Sequence, residues 1–199
     1  RRKRDPDTLV CPRSGAAALR AAGAAVAGVD AVMKGETSTV FCAVRPPGHH
    51  ATADAAMGFC LINSVAVAAA YALDRHGLER VAIVDFDVHH GNGTQAIFYN
   101  EPRVAYFSTH ESGIYPFTGS PYERGVGNVL NALLPPGTGG FRFRNVWLDS
   151  MLPALDAFRP QLLLISAGFD AHMRDPLADL MLETEDFGWL TRELRTIAN

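Results

Sequence analysis

The protein has 199 residues, of which 48% are hydrophobic and 20% are charged, and it carries a net charge of −3 with a sequence pI of about 6.2. This length and composition suit a single domain with a hydrophobic core. The weak negative charge argues against a direct nucleic-acid-binding surface, and the apolar run 64–73 is too short to span a bilayer. The three cysteines cannot all pair, so we expect free thiols in a reducing, cytoplasmic compartment.

Helices and strands alternate along the chain. Apolar residues recur every three or four positions over residues 14–34, which predicts an amphipathic helix. The same reading of periodicity and turn signals predicts further elements in this order: a strand over 39–44, a helix over 62–76, strands over 81–88 and 103–109, a helix over 146–158, a strand over 161–166 and a helix from 184 to the end. Apolar strands separated by helices predict an α/β fold whose mainly parallel sheet is covered on both faces.

Polar clusters follow the predicted strands. They lie at residues 49–50, 85–92, 108–111 and 168–172. In parallel α/β sheets, sites lie beyond the carboxyl ends of the strands, so we expect these clusters to form one site. The segment 111–145 is rich in Gly and Pro and is too long for an ordinary connection, so it is interpreted as a functional or loosely structured loop.

Two carboxylates interrupt the otherwise apolar strand 81–88. If the chain stays extended, Asp85, Asp87 and His89 project to the same side. A carboxylate in an apolar strand is costly unless it binds a cation or a hydrogen-bond donor. The alternative is a solvated strand end with incidental acids, which the flanking apolar residues make unattractive.

A third acid, Asp170, follows the strongly apolar strand 161–166. Together with Asp87 and His89 it makes a set of two carboxylates and one histidine. Such a set suits Zn²⁺ with open positions for water and substrate, although Fe²⁺ accepts similar ligands.

Adjacent histidines, His49 and His50, lie in a turn rich in Pro and Gly. Neighbouring side chains point in different directions, so this pair suits general acid–base work beside a metal better than joint ligation. Each ring needs a partner for its far nitrogen, and Asp85 and Asn92 are available. Alone, the pair would be interpreted as two satisfied turn histidines.

Four motifs together resemble the signatures of histone deacetylases and acetylpolyamine amidohydrolases, in the class II-like and bacterial branch. In this sequence they read Arg-Pro-Pro-Gly-His-His-Ala at 45–51, Gly-Phe-Cys at 58–60, Asp-Phe-Asp-Val-His-His-Gly-Asn-Gly-Thr at 85–94 and Ser-Ala-Gly-Phe-Asp-Ala-His at 166–172. Their order and spacing fit as well, and the resemblance covers essentially the whole chain.

The resemblance implies a three-layer α/β/α arginase-deacetylase fold and hydrolysis of an acetyl-lysine peptide or an acetylpolyamine. It implies that Asp87, His89 and Asp170 hold Zn²⁺. His50 would be the general base and His49 the second histidine, with Asp85 orienting His49 and Asn92 contacting His50.

The resemblance also implies substrate and cation contacts. Phe59, next to Gly58, and Tyr115 would wall an apolar channel for the alkyl stem of the substrate. A monovalent-cation site, where K⁺ is usual, would be formed by Asp85, Asp87, His89, Ser108 and Thr109. A membrane is not among the expected partners, and the sequence does not indicate an oligomeric state.

Relatives place a Gly-Gly-Tyr motif, whose tyrosine stabilises the oxyanion, on a later strand. We therefore expect residues 1–199 to be the central part of one deacetylase catalytic domain that is truncated at both ends. Two alternatives remain open: an impaired module that binds acyl-lysine without turnover, and an arginase-like ureohydrolase. The second would need a two-manganese cluster with more carboxylates, and the histidine pair fits it poorly.

Overall fold

A computed structural model describes residues 7–198, and the chain divides into two compact units. The described part of the first unit contains residues 7–79 together with Asn92–Ile97. The second contains Arg80–Gly91 and residues 98–198.

The first unit is helical. Helix α1 spans Ser14–Met33, helix α2 spans Ser64–Arg75, and all but the last residue of α3, Asn92–Phe98, belongs to this unit. Helix α1 packs against α2 mainly through small side chains. The buried ones are alanines on both helices: Ala18, Ala21 and Ala22 on α1, and Ala66, Ala68, Ala69 and Ala72 on α2.

The end of α1 follows from its glycine. Gly35 has φ = +71°, a conformation that glycine adopts without penalty, and the N–H of Glu36 donates to Ala31 O. Helix α1 is long and apolar enough to cross a membrane by length and composition, a test that core helices and signal sequences also pass. The predicted apolar stripe was partly wrong, because Leu19 is 67% exposed and alanines fill the contact instead.

The second unit contains a four-stranded sheet with all neighbours parallel. Its strands are β1 Val81–Asp85, β2 Val104–Glu111, β3 Val129–Leu134 and β4 Leu162–Ser166, in the order β3-β2-β1-β4. The register places Asp85 opposite Ser108 and Ser166, so the carboxyl ends of β1 and β4 coincide. Every residue of β1 is buried, as its apolar sequence predicted, and every residue of β2 is buried as well, including the polar residues 108–111.

Three helices and a π-helical segment complete the second unit. They are α4 Gly140–Val146, the π segment Trp147–Met151, α5 Leu152–Phe158 and α6 Thr184–Ala198. Their apolar faces join the sheet in one core, whose largest fully buried members include Trp147, Phe143 and Leu190. Asp186, in the first turn of α6, accepts a hydrogen bond from Glu183 N. It also forms a salt bridge with Arg144 at 2.7 Å, which connects α6 to α4.

Four sequence predictions were wrong in part. Residues 39–44 lie outside the described strands, and Phe41 is 75% exposed there. The segment 111–145 contains β3 and α4, and α3 was missed. Strand β1 ends at Asp85, so residues 86–89 are not an extended continuation of it.

Candidate metal centre and histidine pair

The candidate metal ligands lie just beyond the carboxyl ends of two neighbouring strands. Asp87 and His89 follow β1, and Asp170 follows β4. Because β1 and β4 are parallel neighbours in register, their following segments meet at the same edge of the sheet. Of the clusters expected to form one site, the structure brings together the metal-ligand residues of 85–92 and 168–172, although residues 86–89 are not the extended chain that was predicted.

The three side chains contact one another directly. His89 Nδ1 lies 3.0 Å from Asp87 Oδ1 and 3.0 Å from Asp170 Oδ2. One ligand atom from each residue lies within 4.8 Å of the other two. Backbone amides fix the carboxylates, since Val88 N donates to Asp170 Oδ1 at 3.0 Å and His89 N donates to Asp87 Oδ1 at 2.8 Å.

The electrostatics of this cluster favour positive charge. Burial opposes protonation of His89, but hydrogen bonds to the carboxylates of Asp170 and Asp87 outweigh it and raise the pKa of His89 to about 10. The two carboxylates therefore favour a positive charge at the position of His89 Nδ1. A divalent cation bound to the same atoms would supply that positive charge and displace the proton from Nδ1.

The residues present fit a metal ion of the zinc or iron type. Two carboxylate oxygens and an imidazole nitrogen form a three-ligand set, which leaves positions for water and substrate. Gly168 leaves space for the carboxylate of Asp87, because a Cβ at position 168 would overlap that carboxylate. The described residues contain one such group of three potential ligands.

Asp85 lies on the sheet itself and is fully buried. Tyr106 donates its hydroxyl to Asp85 Oδ2 at 3.1 Å. Burial and the negative charge of Asp85 raise the pKa of Tyr106 well above its ordinary value, so this donor stays protonated. Ser108 and Thr109 on β2 are also buried, and within residues 7–198 the Thr109 hydroxyl has no hydrogen-bond partner.

The histidine pair belongs to the first unit. His49 and His50 are each 5% exposed, and their ring centroids lie 4.0 Å apart. His50 Nδ1 lies 2.8 Å from Asn92 Oδ1. Because an amide oxygen only accepts, this contact requires His50 Nδ1 to carry a proton and donate it to Asn92 Oδ1.

Gly58 and Phe59 adjoin this pair in the first unit. Gly58 has φ = +55°, and a Cβ there would overlap the ring of His50. Phe59 also has a positive φ, of 64°, and its side chain is 60% exposed. The backbone therefore lies directly against His50 and turns an aromatic ring outward.

Tyr115 lies in the loop after β2, in the second unit, and is half-buried. Two buried histidines hold the end of this loop: His110 Nε2 lies 3.1 Å from Gly119 O, and His90 Nδ1 lies 2.8 Å from Thr118 Oγ1. The sequence interpretation missed both histidines. His90 and His110 lie next to residues that were interpreted as cation ligands, and no role was predicted for the two histidines themselves.

Sequence comparison identifies the relatives of the chain. The family model described as "Histone deacetylase domain" matches residues 1–199. The chain is 44% identical to the "Histone deacetylase-like amidohydrolase" of Pseudomonas aeruginosa over 96% of its own length and 52% of that protein. It is 41% identical to the "Polyamine deacetylase HDAC10" of Rattus norvegicus over 97% of its length and 34% of that protein.

Comparison with solved structures also identifies a histone deacetylase-type domain as similar to this chain. The chain superposes on the crystal structure of the "HDA15 HD domain" with a TM-score of 0.91 and 37% sequence identity. The match covers 97% of this chain and 57% of that one, and the chain spans between about a third and about half of the length of the three relatives named here. This likeness confirms the predicted arginase-deacetylase fold.

Proposed function

Because the chain belongs to the histone deacetylase domain family, we propose that the protein containing it is a zinc-dependent amidohydrolase that removes acetyl groups from acetylated amines. The observation that carries the proposal is the cluster of Asp87, His89 and Asp170 beyond β1 and β4. The printed names of two relatives, an amidohydrolase and a polyamine deacetylase, support acetyl-lysine or an acetylpolyamine as the substrate class.

The metal has a defined task in this proposal. A Zn²⁺ ion held by Asp87, His89 and Asp170 would polarise the amide carbonyl and lower the pKa of a bound water toward neutrality. Fe²⁺ accepts the same donors. A K⁺ ion held near Asp85, Ser108 and Thr109 is part of the proposal as a structural ion.

The histidine pair supplies proton transfer. His50 would donate its Nδ1 proton to Asn92 Oδ1, and its other ring nitrogen, Nε2, would be the base that accepts a proton from the attacking water. His49 would give a proton to the leaving amine, with Asp85 as its orienting partner. The amide of Asn92 fixes the His50 tautomer without the negative charge that an aspartate would add.

Substrate selection is assigned to aromatic side chains. Phe59 and Tyr115 would each contact the alkyl stem of the acylated amine through their apolar rings. Apolar surroundings disfavour a charged free amine, since its desolvation is uncompensated there. Cytoplasmic location stays a prediction.

The first test combines metal content with the two histidines. We expect about one zinc or iron per chain by elemental analysis. His50→Ala should lower turnover of an acetyl-lysine peptide by ~100-fold or more and leave the metal content unchanged. His76→Ala, in the same unit, is the matched control and should retain activity.

The outcomes separate the alternatives. A cysteine-coordinated zinc or two manganese ions per chain would contradict the proposed centre. Activity that survives in His50→Ala but is lost in His49→Ala would mean that the two roles are reversed. Tight binding of the acetyl-lysine peptide without turnover by the wild type would favour the binding-module alternative.

A further inference from the structure

The loop that carries the histidine pair is bound to the first turn of α3 through its backbone. His49 O accepts from Gly93 N at 3.0 Å and from Thr94 N at 3.1 Å. These amides lie at the start of a helix, where they have no partner inside the helix. The histidine loop supplies that partner, so the position of His49 depends on α3.

Asn63 connects the same loop to a second helix. It is 5% exposed and precedes α2, where its Oδ1 accepts from Ala66 N at 3.1 Å as an N-cap. Its Nδ2 donates to Ala51 O at 3.1 Å and to Thr94 Oγ1 at 3.1 Å. Both amide hydrogens and the amide oxygen are therefore used, and they join α2, the histidine loop and α3.

Close packing leaves this loop little freedom. A Cβ on Gly48 would lie 2.7 Å from Ser64 N and 2.9 Å from Ile62 O, and a Cβ on Gly93 would overlap the backbone of Ala51. The loop backbone is thus in contact with the first turns of both helices. Because Ala51 directly follows His50, a shift of the Ala51 carbonyl would be transmitted to the His50 ring.

We propose that Asn63 is a positioning residue for the His49–His50 pair, an inference that rests on the proposed deacetylase function. It caps α2 with its oxygen and holds the loop with its nitrogen. A residue that only caps a helix would change stability alone. A residue that also positions the pair changes the turnover number, the pH profile of the base and the protection of the amides that bind His49.

Asn63→Asp separates these two tasks. Aspartate is as good an N-cap as asparagine, so α2 keeps its cap. It cannot donate to Ala51 O or Thr94, and its carboxylate would face the Ala51 carbonyl. We expect kcat to fall on the order of 10- to 100-fold, as a misplaced catalytic group does, with KM within about 2-fold and the metal content unchanged.

Thr94 offers a second, milder variant that leaves the cap untouched. Thr94→Val removes the hydroxyl that accepts from Asn63 at nearly constant volume, whereas Thr94→Ser keeps it. We expect Thr94→Val to lower kcat by ~3- to 10-fold, the equivalent of one net hydrogen bond, and Thr94→Ser to restore it. This pair keeps the test decisive if Asn63→Asp does not fold.

Amide hydrogen exchange provides a readout that does not need activity. Exchange at Gly93 and Thr94, whose N–H groups donate to His49 O, should accelerate by ~10-fold in Asn63→Asp relative to the wild type. An inactive wild type with this acceleration would refute the deacetylase function and retain the positioning role. Unchanged exchange, or a kcat that falls only with the folded fraction, would overturn the positioning role even if the wild type is an active deacetylase.

Discussion

The metal cluster and the histidine pair are held by different kinds of interaction. In the cluster, His89 lies between the carboxylates of Asp87 and Asp170, and its raised pKa reports the strong local negative potential. In the loop of the histidine pair, the contacts described above are made by neutral amides and backbone groups: Asn92 contacts His50, and Asn63 donates to the carbonyl of Ala51. One region is organised by charge and the other by hydrogen-bond geometry and packing.

This difference decides which substitutions each region tolerates. Removing a charge from the cluster changes its affinity for a cation even where the shape is kept. Adding volume beside the histidine loop changes its position even where all charges are kept. The two regions should therefore respond to opposite sets of variants.

Asp170→Asn should have the largest effect. The amide oxygen can still accept from Val88 N, so the local backbone is preserved, but one of the two negative charges is lost. Zinc affinity should fall by more than about 100-fold, because even the partners of metal ligands typically contribute 10- to 100-fold. Titration of the metal-free chain with Zn²⁺ measures this, and the exposed Asp156→Asn is the control. An unchanged affinity would remove Asp170 from the ligand set.

A pair of glycine variants makes the comparison sharper. Gly168→Ala places a Cβ against the Asp87 carboxylate and should weaken zinc binding by ~10- to 100-fold. Gly93→Ala places a Cβ against Ala51 and should lower turnover by ~10-fold or more while zinc binding stays the same. Both substitutions add one methyl group and no charge.

The control for both is Gly23→Ala. Gly23 is interior to α1, and a Cβ there meets no atom within 4 Å. Alanine should raise stability by about 0.5–1 kcal/mol, as in other helix interiors, without changing zinc binding or turnover. If Gly93→Ala weakened zinc binding as much as Gly168→Ala does, the two regions could not be treated as separately held.

The fold was predictable where one physical signal dominated. Strands β1 and β4 and the first half of β2 are apolar runs, and the rule for parallel sheets placed Asp87 and Asp170 at one edge of the sheet. Strand β3 was missed because Asn131 interrupts a short run inside a Gly- and Pro-rich segment. Helix α3 was missed because Gly93 lowers helix propensity, and the need for that glycine is visible only once Ala51 is placed against it.

The role of Asn63 shows why part of the site could not be predicted. An asparagine before an apolar helical run is a sequence signal for an N-cap, and that half of its role is local. The other half needs Ala51 and Thr94, which lie 12 and 31 positions away in the chain. Residues 39–44 show the opposite error, a predicted strand that lies outside the described strands. β-branched residues favour a strand only where they can pack against a neighbouring one.

The smallest expected effect concerns a charge in the unit that carries the histidine pair. Asp30 on α1 accepts from His76 at 2.8 Å and from the Tyr71 hydroxyl at 3.0 Å, which joins α1 to the end of α2. Hydrogen bonds from His76 and Tyr71 lower the pKa of Asp30 below its ordinary value of 3.8. Asp30 is partly solvated, so its contribution to stability is expected to be small.

The sign of the pH dependence follows from the direction of that shift. A carboxyl group whose folded-state pKa is lowered stabilises the fold above its unfolded pKa, and this contribution is lost as the pH falls through the folded pKa. Asp30→Asn should therefore lower Tm by no more than a few degrees near neutral pH, and the difference from the wild type should vanish at acidic pH, once the pH falls below the lowered folded-state pKa of Asp30. The exposed Asp74→Asn on α2 is the control, and turnover and zinc binding should stay unchanged in both. A large loss of turnover in Asp30→Asn at unchanged Tm would show that charge also organises the histidine pair, and the contrast between the two regions would fail.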